Sequence, residues 1–83
     1  MASYYIVEEG EPVRYLRRVS SDLWTFTEFL GVAAVFNTLG SAVATWERIK
    51  YTYDVSEATR IAHHVRIVGP RGGQYHTNGT RMR

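Results

Sequence analysis

The clearest periodic pattern in this chain of 83 residues lies in residues 38–53, TLGSAVATWERIKYTY. Apolar side chains recur there at three- and four-residue spacing, which predicts one buried stripe along a helix: Leu39, Ala42, Val43, Trp46, Ile49 and Tyr53. Thr38 is the predicted N-cap, because its hydroxyl can accept a hydrogen bond from a first-turn N–H. Glu47 and Lys50 are three residues apart and are predicted to pair on the solvent side of the helix.

The chain before this helix begins with a predicted β-hairpin. Residues 4–7 and 13–16 are rich in β-branched and aromatic side chains, and a connection containing Gly10 and Pro12 separates them. Along the second strand, Arg14, Leu16 and Arg18 share one face. Val13, Tyr15 and Arg17 share the other, and neither face is cleanly apolar, so the alternation leaves open which one is buried.

Three further strands are predicted, two before the helix and one after it. In residues 23–28 the alternation sends Trp24 and Phe26 toward the core, and Gly31 marks a bend before a short strand at 33–36. Residues 60–68 change to a period of two, and Gly69-Pro70 ends that strand because proline donates no ladder hydrogen bond.

These elements predict an α+β fold, with a three- to four-stranded antiparallel sheet and one main helix packed on one face. We expect a single domain over residues 1–70 and a flexible basic tail over 71–83, with an extra hairpin strand at 74–77 as the alternative. A turn of helix near Asp54–Glu57 is also expected from its capping-box spacing.

The charge is unevenly distributed along the chain. Residues 1–70 contain seven basic and eight acidic side chains, whereas residues 71–83 contain three arginines and no acid. The basic character therefore belongs to the predicted tail and is weak support for a nucleic-acid-binding body. Cysteine is absent, which excludes disulfides and thiolate metal sites.

No pattern in the chain predicts catalysis or a cofactor. His63 and His64 are adjacent on a predicted strand and point to opposite faces, so they are poorly placed to share a metal ion. The segment 69–73, GPRGG, lacks the Gly-Lys-Ser/Thr ending of a phosphate loop. We predict a protein that is not an enzyme and that carries neither a metal ion nor a cofactor.

The candidate binding residues are charged side chains on the hairpin and strands. We expect Glu8, Glu9 and Glu11 on an exposed loop, where carboxylates can accept hydrogen bonds from a basic groove of a partner. A solvated hairpin tip is the alternative. The Phe29-Leu30 pair is a further candidate contact. The full predicted partner-binding set is Glu8, Glu9, Glu11, Arg14, Arg17, Arg18, Asp22, Glu28, Arg60 and Arg66.

The order of elements resembles small accessory proteins of phages and mobile elements. The resemblance covers residues 4–68 and lies in Tyr4–Val7, Gly10, Tyr15-Leu16, Trp24, Ala33–Phe36 and Thr38–Trp46. Several such proteins are anti-CRISPR inhibitors, which bind a Cas protein or a Cascade-like complex and block target DNA binding or nuclease recruitment. Those that mimic DNA are strongly acidic, which residues 1–70 are not. The resemblance thus implies surface blocking at a protein site, and no catalytic residues.

The leading expectation is a non-enzymatic inhibitor of a bacterial defence complex, acting in the cytoplasm of the host cell as a monomer or homodimer. Two alternatives stay open: a small nucleic-acid-binding regulator and a self-associating structural module. The N-terminus has no signal-peptide pattern, and the longest run with few polar groups, 29–36, is much shorter than a membrane helix. We therefore expect no membrane partner.

Overall fold

The computed structural model describes residues 2–21, 23–50 and 65–82. Its strands are β1 (Tyr5–Glu8), β2 (Arg14–Arg18), β3 (Trp24–Thr27), β4 (Val65–Val68) and β5 (Gln74–Tyr75), and its helix is α1 (Leu39–Ile49). The strands form one antiparallel sheet in the order β3-β2-β1-β4-β5. The α+β class is confirmed, and the strand number is corrected from three or four to five.

Helix α1 begins where the sequence predicts. Thr38 is extended, and its hydroxyl accepts a hydrogen bond from the Ser41 N–H at 3.1 Å. Ala42, Trp46 and Ile49 are buried, and the Lys50 ammonium lies 2.9 Å from the Glu47 carboxylate. The predicted cap, stripe and ion pair are confirmed as far as Lys50, whereas Tyr53 lies outside the described residues.

The main core lies between α1 and one face of the sheet, which we call the helix face. Ile6, Leu16 and Ile67 are fully buried there, and the Phe26 and Trp46 rings meet edge-on with centroids 6.4 Å apart. Leu16 lies opposite Phe26 and Arg18 opposite Trp24. The alternation left open which face of β2 is buried. The structure shows that it is the face carrying Leu16.

A short extended segment enters the sheet between β1 and β2. Ala34 donates its N–H to the Leu16 carbonyl at 2.8 Å, and Tyr4 and Phe36 exchange backbone hydrogen bonds of 2.8 and 2.9 Å. The strand expected over 33–36 is instead a single bridge at Phe36, preceded by a 3-10 turn over Leu30–Val32. Ala34 bonds to β2 whereas Phe36 bonds to Tyr4 at the start of β1, so residues 33–36 form no continuous ladder with either strand.

The chain after Pro70 is attached to the sheet. Gln74–Tyr75 pairs with β4 and is the extra hairpin strand that the sequence offered as the alternative to a tail. Tyr75 also bridges to Arg81, and a Cβ at Gly79 would lie only 3.4 Å from a methyl group of Val43 on α1. The predicted boundary at residue 70 therefore falls inside the β4–β5 hairpin.

Several predicted features lie outside the described residues. They are the helical turn near Asp54–Glu57, the first part of the strand expected from Arg60, and His63 and His64. None of the helices in the described part of the chain has the length and apolar character needed to span a bilayer.

Candidate functional site

The β1–β2 hairpin and the end of β3 enclose an open pocket of ≈ 350 Å³. Four carboxylates and one guanidinium contribute to its lining, which consists of Glu8, Glu9, Gly10, Glu11, Pro12, Arg14 and Glu28. We call this region the acidic pocket. It contains five of the ten predicted partner-binding residues, which the sheet brings together from three strands.

Glu8 lies at the floor of the acidic pocket. It is the last residue of β1 and is 3% exposed, which corrects the expectation that it lies on an exposed loop. The physical reason is that the alternation begun at Ile6 continues for one more pair, so the Glu8 side chain also points to the helix face. A carboxylate buried there requires a cationic or hydrogen-bonding partner.

Arg14 supplies such a partner. It lies directly opposite Glu8 in the β1–β2 register, and its Nη2 donates to Glu8 Oε1. The Arg14 side chain is 38% exposed, so the pair extends from the core to the pocket surface. Arg14 therefore forms part of the pocket lining, and its guanidinium is already paired with a carboxylate of the same chain.

Glu9 is held from the opposite face of the sheet. Arg66, on β4, lies opposite Val7 of β1. Its side chain is only 16% exposed, and its Nη1 lies 2.6 Å from Glu9 Oε1. This contact has the separation of an ion pair but not the geometry of an aligned hydrogen bond. Glu9 is thereby fixed at the rim of the pocket, with 63% of its side chain exposed.

Glu11 and Glu28 provide the outward-facing charge. Both are exposed, and the ion pairs found among the described residues engage Glu8 and Glu9 but neither of these two. Thr27 lies opposite Tyr15, so the next step of the same register brings Glu28 beside Arg14. Glu28, one of the predicted partner-binding residues, therefore extends the acidic surface of the hairpin.

An exposed apolar segment follows the acidic pocket directly along the chain. Phe29 is 68% exposed, Leu30 and Val32 are each 49% exposed, and Val35 is 53% exposed. We call residues 29–35 the apolar segment. The expected exposure of Phe29 and Leu30 is confirmed. Sequence reasoning missed Val35 because it assigned 33–36 to a strand, and it made no prediction for Val32.

The other predicted site residues lie elsewhere. Arg17 is on the sheet face opposite α1, and Arg18 is on the helix face at the far end of β2, where its guanidinium lies 5.7 Å from the Trp24 ring centroid. Asp22 and Arg60 lie outside the described residues. Within the described ranges, no group of three His, Cys, Asp or Glu side chains is arranged to hold a metal ion.

No protein-family model matches the chain, and no curated protein and no solved structure matches it either. The function must therefore be argued from the acidic pocket and the apolar segment themselves.

Proposed function

We propose that this protein is not an enzyme and that it inhibits a bacterial defence complex of the CRISPR–Cas kind by occupying a basic site on it. Binding there would block target DNA binding or nuclease recruitment in the cytoplasm of the host cell. The observation that carries the proposal is that the exposed Phe29 directly follows Glu28 of the acidic pocket along the chain. On this proposal the two act as one contact surface, with an anionic part and an apolar part.

The acidic pocket supports a partner that presents arginine or lysine. Its floor is a cross-strand ion pair, and Glu9 is fixed at the rim by Arg66. The Glu9 carboxylate, which is held in this way and is still exposed, loses little side-chain freedom on binding, which favours affinity. Glu11 and Glu28 would then accept charge-assisted hydrogen bonds from the partner.

The apolar segment supports a protein partner over a free cation. Exposed apolar side chains that are contiguous along the chain, next to charged ones, are typical of protein contact surfaces. A large aromatic residue at such a position is also the type that contributes most strongly to binding. A small basic ligand would use the pocket but would leave Phe29 exposed.

The resemblance to phage accessory proteins supports the class of partner. Nucleic-acid-guided defence complexes must hold phosphates on basic surfaces, and a surface with exposed carboxylates is complementary in sign to such a groove. The proposal needs only a local acidic patch. It is therefore compatible with the near balance of acids and bases over residues 1–70.

The test is affinity capture from a host that carries an active CRISPR–Cas system. Immobilised protein should recover a Cas component, and the double variant Glu11→Gln/Glu28→Gln should recover it about 10-fold less well, because two interfacial charges are removed. Recovery of no Cas component by the unmodified protein would contradict the proposal.

Glu47→Gln is the matched control. Glu47 is also an exposed carboxylate, but it lies on α1 and pairs with Lys50. The proposal predicts unchanged recovery with this variant. An equal loss in both variants would mean that capture follows net charge, and this would contradict a role for the acidic pocket.

A further inference from the structure

The second face of the sheet, opposite α1, carries a different kind of surface, which we call the outer face. One continuous row of residues follows from the strand register: Thr27, Tyr15, Val7 and Arg66. Beyond it, Thr25 lies opposite Arg17 and Tyr5 lies opposite Val68, and the segment that enters between β1 and β2 separates these two pairs. In the part of the chain that the structure describes, no helix covers this face.

Aromatic side chains form the centre of the outer face. Val7 is 1% exposed, because the larger side chains of Tyr15 and Arg66 flank it on the two neighbouring strands. The Tyr5 and Tyr15 rings lie edge-to-face at 6.4 Å and 71°. Both tyrosines are half-buried. Part of each ring is therefore exposed to solvent, while the neighbouring Val7 is buried.

The charge of the outer face is positive. Its strand residues in the described ranges include Arg17 and Arg66 and no acid. Arg17 is exposed, and Arg71 is exposed in the β4–β5 turn, at the end of the sheet where Tyr5 pairs with Val68. Arg66 is engaged by Glu9 at the opposite end. Arg17 and Arg71 form no ion pair with another described residue, and both lie toward the end of the sheet farthest from the acidic pocket.

We infer that the outer face binds single-stranded nucleic acid, with bases stacking on the tyrosine rings and phosphates contacting Arg17 and Arg71. Aromatic rings on a sheet, next to arginines, suit this ligand because each base offers a π-face and each nucleotide a phosphate. An acidic protein segment could form ion pairs with the arginines, but it would gain less binding energy from stacking on the two tyrosine rings than nucleic-acid bases would. This inference concerns a surface separate from the acidic pocket and does not depend on the proposed function.

The test is fluorescence anisotropy with a labelled oligothymidylate of about 15 nucleotides, within the range that one small domain can cover. Binding should weaken as salt rises from about 50 mM to about 200 mM, and Arg17→Ala should reduce the slope of log K against log salt by about 0.7, the value for one phosphate contact on a single strand. Tyr15→Leu should weaken binding about 5-fold or more, whereas Tyr15→Phe should retain most of it.

Two controls separate this site from general charge attraction. Arg48→Ala removes an exposed arginine from α1 on the other layer and should leave the salt slope unchanged. The acidic-pocket variant Glu11→Gln/Glu28→Gln should not weaken oligonucleotide binding. Circular dichroism identifies any variant that fails to fold, and Arg17→Ala, at an exposed position, then still tests the site.

Several results would overturn the inference. They are no anisotropy change at low salt, equal losses in Arg17→Ala and Arg48→Ala, or a duplex of equal length binding as tightly as the single strand. An outer face that binds a protein instead would give the first of these results.

Discussion

Glu8 and Arg14 face each other across β1 and β2 and join their side chains in an ion pair at the floor of the acidic pocket. Glu8 is almost completely buried, whereas Arg14 reaches the surface. The pair thus holds a carboxylate in the core while the neighbouring carboxylates stay in solvent. Folding of this end of the sheet and presentation of the acidic pocket therefore depend on the same two residues.

Arg14→Met should destabilise the protein. The substitution keeps an apolar stem but removes the cation opposite a buried carboxylate, which costs about 1–3 kcal/mol. Because Arg14 is partly exposed, the loss should be smaller than for a fully buried ion pair. Urea denaturation measures it, with Arg17→Met as the control at an exposed position of the same strand. Equal stability of the two variants would show that the pair does not hold the hairpin.

Gly69→Ala should also destabilise the protein. A Cβ at residue 69 would lie 2.7 Å from Tyr4 Cε1 and 3.2 Å from a Tyr75 ring carbon. The backbone there is extended, so the cost is steric and should be about 1–3 kcal/mol. Thermal unfolding measures it.

Gly40→Ala is the matched control, and it should change stability in the opposite direction. Its Cβ would meet nothing within 4 Å, and alanine in a helix is favoured over glycine by up to about 1 kcal/mol. If both alanine variants were equally stable, the close packing of Tyr4 against Gly69 would be wrong.

Thr38→Ala should cost about 1 kcal/mol of unfolding free energy, because the Ser41 N–H loses its acceptor at the start of α1. Thr38→Ser keeps a hydroxyl at the same position and should retain most of the stability. Chemical denaturation of the three proteins distinguishes the cap from a simple loss of side-chain volume. A serine variant as unstable as the alanine variant would contradict the cap.

Phe29→Ser should leave stability within about 0.5 kcal/mol of the unmodified protein, as expected for an exposed position. It should nevertheless reduce capture of the partner, because the ring contributes apolar contact beside Glu28. Leu23→Ser is the control, since Leu23 is 55% exposed at the other end of β3. A large loss of stability in Phe29→Ser, or equal loss of capture in Leu23→Ser, would exclude the apolar segment as a contact.

Features that depend on local sequence could be predicted. The helix, its Thr38 cap and the inward positions of Trp24 and Phe26 follow from spacing alone, and the structure confirms them. These features need only neighbours within a few residues. A short-range pattern therefore carried enough information to establish the fold class.

Features that depend on pairing between distant segments could not be predicted. The burial of Glu8 requires the β1–β2 register, and the choice between a tail and a strand at residues 74–75 requires a partner edge on β4. The acidic pocket assembles because β2 lies between β1 and β3, which brings Glu28 toward the hairpin. Charge counts along the chain contain no information on this convergence.

The most direct test of the central claim, that the acidic pocket and the apolar segment bind and block a defence complex, is the plaquing efficiency of a phage that the host's CRISPR–Cas system targets. Hosts producing the unmodified protein or Glu47→Gln should lose immunity and allow plaques. Hosts producing Glu11→Gln/Glu28→Gln at the same level should remain immune. Full immunity in hosts that produce the unmodified protein, or equal loss of immunity with the acidic-pocket variant, would contradict the account.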